Sequence, residues 1–210
     1  MSKIQVTTEN YNFSSYATRE RWLSYRFQIS LVLEKQPKSV LVIGVGDSIV
    51  VDILKKFIPK VETFDFDPEL KPDICGDIVD IENLVSEKYD VIVCCQVLEH
   101  LPYSNFKPVL NQIYNLTDTL IMSLPYGHLR FFDIKIKLPK FPRFSLSLIV
   151  PKFLENYKFN GQHYWEVGTK GYSKSKVYRD MKEVFSTVEY KKFDDFYYHL
   201  FIECNKSNRG

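Results

Sequence analysis

The chain has 210 residues, enough for one domain with additions and a full hydrophobic core without covalent staples. Hydrophobic residues make up 45% and charged residues 26%, ordinary globular usage that excludes a disordered or collagen-like chain. A formal net charge of +2 provides no global field of the kind that marks a nucleic-acid binder, so no DNA partner is expected.

The opening MSKIQVTTENYNF has no apolar h-region, so no signal peptide is expected. No run approaches the roughly 18 unbroken apolar residues of a membrane span, and the expected location is cytoplasmic. Residues 1–36 read as a helical N-terminal segment: from Tyr16 to about Glu34, Trp22, Leu23, Phe27, Leu31 and Leu33 recur at helical spacing, and Pro37 stops the run. Residues 39–44 form a continuous apolar run ending in glycine, as a buried parallel strand does. A helix follows over 48–58, then a strand over 61–67 and a short helix over 80–88. Residues 90–95 are a third strongly apolar strand, 106–115 a helix and 119–124 a further strand. Residues 129–160 break this rhythm with prolines and read as an irregular insert, while 173–185 resume as a helix. Two closing strands, 187–193 and 197–204, have no helix between them. The alternation indicates an α/β sheet with an antiparallel edge in a single domain spanning 1–210.

Cys75, Cys94, Cys95 and Cys204 include no CxxC pair and fit neither a disulfide framework nor a zinc site. Open α/β sheets bind ligands beyond the carboxyl ends of their strands, and three such ends carry informative residues. In VLVIGVGDS, residues 40–48, Gly44 and Gly46 make a tight strand-to-helix turn that lets backbone approach a ligand. In FDFDP, residues 64–68, Asp65 lies 19 residues after Gly46, where a carboxylate can accept both hydroxyls of a ribose. In CGDI, residues 75–78, Asp77 follows a glycine just ahead of a helix; it and Asp65 also suit simple helix caps.

The sequence at this point resembles a class I S-adenosylmethionine-dependent methyltransferase, in the small-molecule group whose fourth strand leads into a VLEH motif. The matching stretches are VLVIGVGDS (40–48), FDFDPELKPDICGDI (64–78), YDVIVCCQVLEHLP (89–102) and LIMSLPYG (120–127), with GQHYWEVGTKGY (161–172) similar to an element of one subgroup. The resemblance implies a Rossmann-like, seven-stranded, mostly parallel sheet with an antiparallel last strand and helices on both faces. It implies S-adenosyl-L-methionine as cofactor and methyl transfer to a small-molecule acceptor. Carried over by position, Gly44, Val45 and Gly46 face the methionine part, Asp65 holds the ribose and Phe66 stacks near the adenine. Asp77 meets the adenine amino group beside the Ile78 backbone, and Cys95 and Gln96 lie close to the sulfonium. Two departures stand out: Val42 replaces an acidic residue and Ser48 a third glycine. They motivate the alternative of a cofactor-binding protein without catalysis. Arg19 and Arg21 are candidates for the cofactor carboxylate, or for a solvated helix face.

Other motif readings fail on context. Gly44-x-Gly46-x-x-Ile49 lacks the third glycine of a dinucleotide fingerprint, Tyr172 and Lys176 form a Y-x-x-x-K pair in the wrong place, and no Walker A sequence occurs. No metal is expected, because Gln96 stands where an acidic ligand would be wanted. For chemistry, an acceptor that must lose a proton calls for a base matched to neutral pH, and histidine suits best. His128 and His163 are the expected catalytic residues. His100 reads as bridging loop and helix with Glu99, while Tyr126 and Glu166 are suited to orienting an acceptor. The insert 129–160 holds seven basic residues against two acidic ones, and seven aromatics. It reads first as a lid; an anionic or lipid-linked acceptor, a peripheral membrane contact, RNA or a dimer arm are its other readings.

Overall fold

The computed structural model describes residues 17–136, 144–193 and 196–206. Helix α1 (Arg19–Leu33) starts where the Thr18 hydroxyl accepts the Arg21 N–H, and it buries Tyr25, Phe27, Leu31 and Val32. There follow β1 (Ser39–Ile43), α2 (Ile49–Leu54), β2 (Lys60–Asp65), β3 (Ile74–Cys75), α3 (Ile81–Leu84) and β4 (Tyr89–Cys95). The second half contains α4 (Phe106–Leu116), β5 (Thr117–Pro125), β6 (His128–Ile136), β7 (Phe144–Pro151), α5 (Lys174–Lys182), β8 (Thr187–Lys191) and β9 (His199–Asn205).

Seven strands form one sheet in the order β3-β2-β1-β4-β5-β9-β8. β1 pairs in parallel with both β2 and β4, so the chain switches direction across the sheet between β1 and β4. This is the Rossmann-like arrangement, with a direction switch at the middle of a mostly parallel sheet. β9 runs antiparallel to both β5 and β8. The reversed strand is therefore the last in sequence but second from the sheet's end; β8 occupies the edge. Only residues 192–198 connect β8 to β9, too few for the crossover that a parallel return would need.

Both faces of the sheet are covered, which is why β1 and β4 are apolar at nearly every position. Leu41, Ile43, Ile92 and Cys94 enter one core with Phe106, Trp165 and Met181, while Val40, Val42, Val91 and Val93 enter the other with Phe27, Leu31 and Val32. Val42, the unusual residue of β1, is thus an ordinary member of the α1-side core. Aromatic residues make up 15% of the chain, and several of them pack together here. Phe27 stacks on Phe193 and meets Phe196 and Phe201 edge-on, tying α1 to the β8–β9 connection.

Two expectations are corrected. Strand β3 was not foreseen, since two residues leave no periodic signal; it exists because Phe64 and Asp65 of β2 offer a free edge to Ile74 and Cys75. The insert 129–160 is irregular only in part: its described residues up to Pro151 are strand, and 152–160 have no regular structure. β6 and β7 pair as an antiparallel hairpin with a register shift between Arg130 and Phe132. Period-2 alternation in FSLSL supports one strand, and Pro139 and Pro142 fall between the strands, in residues outside the described set. Leu129, Phe131, Phe132, Ile134 and Leu148 are exposed on this hairpin. No helix among the described residues is long and apolar enough to cross a membrane.

Candidate functional site

A cavity of about 480 Å³ opens at the carboxyl ends of β1, β2 and β4, beside the direction switch. Its floor is the turn after β1. Gly44 (φ 87°), Gly46 (φ 58°) and Ser48 (φ 62°) are all left-handed, and Gly44 lies so close to the β4 loop that a Cβ would stand 2.6 Å from Val97. Ser48 holds its position without glycine's freedom, at a cost of roughly 1–2 kcal/mol. Its hydroxyl donates to Asp52 at 3.0 Å.

Asp65, at the end of β2, accepts the Val45 N–H at 2.8 Å on one carboxylate oxygen and the Asp67 N–H at 3.0 Å on the other. It therefore clamps the β1 turn to the β2 turn while each oxygen keeps a further lone pair for a ligand. Burial raises its pKa, against the backbone hydrogen bonds that lower it. Asp77 accepts the Val79 N–H at 3.1 Å, capping a short turn, and Phe66 and Ile78 line the same end of the chain's β2–β3 region. Gln96 follows β4 in a left-handed conformation (φ 57°), secured by its N–H to the Ser123 carbonyl and its amide to the Ser123 hydroxyl. Strain in a non-glycine residue at a cavity wall is typical of functional positions. Burial pushes the Cys95 thiol up to about 12, so it stays protonated at neutral pH.

Helix α1 closes one wall with Arg21, Ser24, Tyr25 and Gln28. The Tyr25 hydroxyl donates to Asp47 of the β1 turn, and Ser24 hydrogen-bonds Nδ1 of His199 on β9 at 3.2 Å. The opposite wall comes from residues 161–167, which dock on the loop after β4. Tyr164 N–H donates to the Glu99 carbonyl, Trp165 Nε1 donates to the Leu101 carbonyl at 3.1 Å, and Val167 bridges to Tyr126. Trp165 is fully buried, edge-on to Tyr103 and Phe106. This docking brings His163 within 5.0 Å of His100, ring to ring.

His100 Nδ1 faces the Gln162 carbonyl at 3.1 Å, and His163 Nδ1 faces Glu166 Oε1 at 3.3 Å. Both partners only accept, so in the neutral form of each ring Nδ1 carries the proton and Nε2 the lone pair. Burial opposes protonation of His163, but the Glu166 hydrogen bond and the Glu99 and Glu166 charges outweigh it and raise its pKa. Burial lowers His100 to about 4, helped by the His163 charge. Behind them Glu99 is wholly buried, and burial pushes it up to about 7.

A family model described as "Methyltransferase domain" matches residues 16–130, more than half of the chain. The chain belongs to this methyltransferase family. The methyltransferase is an enzyme of the class that uses S-adenosylmethionine as methyl donor. No curated protein matches it in sequence. Among solved structures it is similar to the methyltransferase domain of bacterial CtHen1 (TM-score 0.57, 13% identity, covering 89% of this chain and 100% of that one). It is similar to magnesium protoporphyrin IX methyltransferase from Synechocystis PCC 6803 with bound S-adenosylhomocysteine (TM-score 0.56, 15% identity, 93% and 88% covered). It is also similar to the small RNA methyltransferase HEN1 (TM-score 0.61, 11% identity, 90% and 25% covered). At these identities the likeness is one of fold.

Of the residues read from the methyltransferase's sequence, Gly44, Val45, Gly46, Asp65, Phe66, Asp77, Ile78, Cys95 and Gln96 all line the one cavity. So do Arg21 and His163. Arg19 and His128 do not; His128 instead hydrogen-bonds the Tyr126 carbonyl at 2.8 Å and stacks on the Tyr126 ring at the base of the hairpin. No described residue of 129–160 lines the cavity; Gln162 and His163, just beyond it, do. Sequence reasoning missed Ser24, Tyr25, Gln28 and His199, for which helical periodicity and strand alternation gave a packing explanation that hid the cavity side. A pocket of this size, an acceptor-bearing Asp65 and apolar walls from Phe64, Phe66 and Ile78 fit a nucleoside-bearing cofactor.

Proposed function

We propose that the enzyme transfers the methyl group of S-adenosylmethionine, held in this cavity, to a small-molecule acceptor that enters beside His163. The observation that carries the reading is convergence: nine residues from four separate segments line the same cavity as His100, Gln162 and His163. In this reading Gly44, Val45 and Gly46 lie along the methionine part, and Asp65 accepts from the ribose hydroxyls. Phe66, Asp77 and Ile78 take the adenine, while Cys95 and Gln96 border the sulfonium. When bound, the cofactor supplies an electrophilic methyl group with a good leaving group. What the chain itself contributes is placement and exclusion of water. Gln96, braced on Ser123, fixes the wall, and His163, braced on Glu166, meets the acceptor. His128, outside the cavity, takes no part.

A second reading, an RNA acceptor, has one observation in its favour: Arg130, Phe131 and Phe132 are exposed together on the hairpin, a basic and aromatic surface. Affinity for single-stranded RNA that falls with salt and is lost on replacing these three residues favours it.

Calorimetric titration with S-adenosylhomocysteine tests the cofactor site. One equivalent per chain is expected, and Asp65→Ala is expected to weaken binding by about 5- to 150-fold, since removing a buried hydrogen-bonding partner costs about 1–3 kcal/mol. Equal affinity in wild type and variant removes Asp65 from the site. Product formation from a panel of small acceptors separates an active enzyme from a protein that only binds the cofactor.

A further inference from the structure

The loop after β4 and the segment 161–167 bring three metal-ligating side chains together at the cavity wall, and the proposed methyl transfer does not account for one of them. Glu99 sits in the short turn Leu98–His100 with no solvent exposure, and neither of its carboxylate oxygens has a hydrogen-bond partner among the described residues. A buried carboxylate left in that condition is costly and calls for an explanation. One ligand atom from each of Glu99, His100 and His163 lies within 4.8 Å of the others. Ligands held about 2.1 Å from one ion stand roughly 3–4 Å apart, so small side-chain adjustments suffice.

We propose that Glu99, His100 and His163 form a binding site for one divalent transition-metal cation in the wall of the cavity. Tautomer geometry supports this independently of the carboxylate. Both imidazoles direct Nδ1–H at a fixed acceptor, the Gln162 carbonyl and the Glu166 carboxylate, which makes Nε2 the ligating nitrogen in each. Metal-bound histidines characteristically have this outer hydrogen bond, which fixes ring orientation and raises ligand basicity. The His163 support is itself layered: Tyr157 donates to Glu166 at 3.2 Å, and the Asn160 side-chain oxygen accepts the His163 N–H at 2.8 Å. One carboxylate and two imidazoles thus converge, and a cation gives the buried Glu99 carboxylate the counter-group it otherwise lacks among the described residues.

Two imidazole nitrogens and one carboxylate suit Zn²⁺, Mn²⁺, Fe²⁺ or Co²⁺ better than Mg²⁺ or Ca²⁺, which prefer all-oxygen shells. His100 and His163 line the cavity whereas Glu99 lies behind them, so the open coordination positions face the cavity. This revises the expectation of no metal. The acid missing at Gln96 is supplied three residues later, by Glu99, and the decisive second histidine comes from 63 residues farther along the chain. The site goes beyond the proposed methyl transfer and holds whichever acceptor that reaction uses.

Chelator-stripped protein without cofactor is titrated with Zn²⁺ by calorimetry and with Co²⁺ by visible absorption. The expected result is one ion per chain, with ligand-field bands from Co²⁺, and a loss of at least about tenfold in affinity in Glu99→Gln, His100→Ala and His163→Ala. Far-UV circular dichroism and binding of S-adenosylhomocysteine are measured on the same samples, so that a misfolded variant is recognised and His163→Ala, the most solvent-accessible change, can stand alone. Absence of a stoichiometric ion in the wild type at about 1 mM metal overturns the site, as does ion binding that folded variants leave unchanged. Failure to bind S-adenosylhomocysteine while the ion binds counts against the cofactor reading alone.

Discussion

His199 shows how one residue can serve the cavity and the fold together. It lies on β9, is nearly inaccessible, and is held by Ser24 of α1. Burial pushes its pKa down to about 3 from an ordinary 6.5, with the Arg21 and His163 charges acting in the same direction. Between those two pH values the unfolded chain binds more protons than the folded one. Stability contributed by neutral His199 is therefore complete above about 6.5 and falls as the pH drops toward 3. One such group accounts for at most about 1.4 kcal/mol per pH unit. Urea unfolding at pH 7 and pH 5 is expected to show a smaller loss in His199→Asn than in the wild type. An identical pH dependence in the two proteins would show that His199 is not the group responsible. Asp65 and Ser48 make the complementary point that neither acts through its charge or hydroxyl alone. Each holds the backbone of the β1 turn, Asp65 through the Val45 N–H and Ser48 through its left-handed φ.

Among the elements, the segment 161–167 has the most to do, although it contains no helix and no long strand. Its docking depends on Trp165, whose indole fills the space between Tyr103, Phe106 and Tyr172 and whose N–H satisfies the Leu101 carbonyl. Trp165→Ala is expected to destabilise the protein by about 3–5 kcal/mol, in the range for a fully buried large aromatic residue. Denaturant unfolding measures this, and a change under 1 kcal/mol would contradict the packing described for residues 161–167. The VLEHLP loop and the GQHYWEV segment were both noticeable in sequence, each with a histidine. That one clasps the other was not, because the contacts joining them are backbone carbonyls and an indole N–H, groups that leave no pattern in a string of letters. The hairpin was misjudged for a related reason: its strands end in a proline-rich stretch, and prolines weighed more than alternation.

At the scale of the molecule, the cavity is where the layers meet. α1 from one layer, the ends of β1, β2 and β4, and the docked segment from the other layer all contribute walls. A ligand that touches all of them binds only the folded chain. S-adenosylhomocysteine at about 100 times its dissociation constant is expected to add about 2.7 kcal/mol of stability and raise the unfolding midpoint by roughly 5–10 °C in a thermal scan. No shift under saturating ligand would contradict the cavity as its site.

The amino-acid order alone determined the apolar strands, the glycine turn after β1, the placement of Asp65 at a strand end and of Asp77 ahead of a helical turn, and with them the methyltransferase family. These are local features, in which a few neighbouring residues specify backbone conformation and burial by their own chemistry. Only the tertiary structure decided that β9 lies between β5 and β8, that α1 walls the cavity, and that Glu99 and His100 meet His163. Those outcomes depend on which distant surfaces bury one another. A carboxylate and two imidazoles separated by some sixty residues become a site only when the packing around Trp165 brings them together.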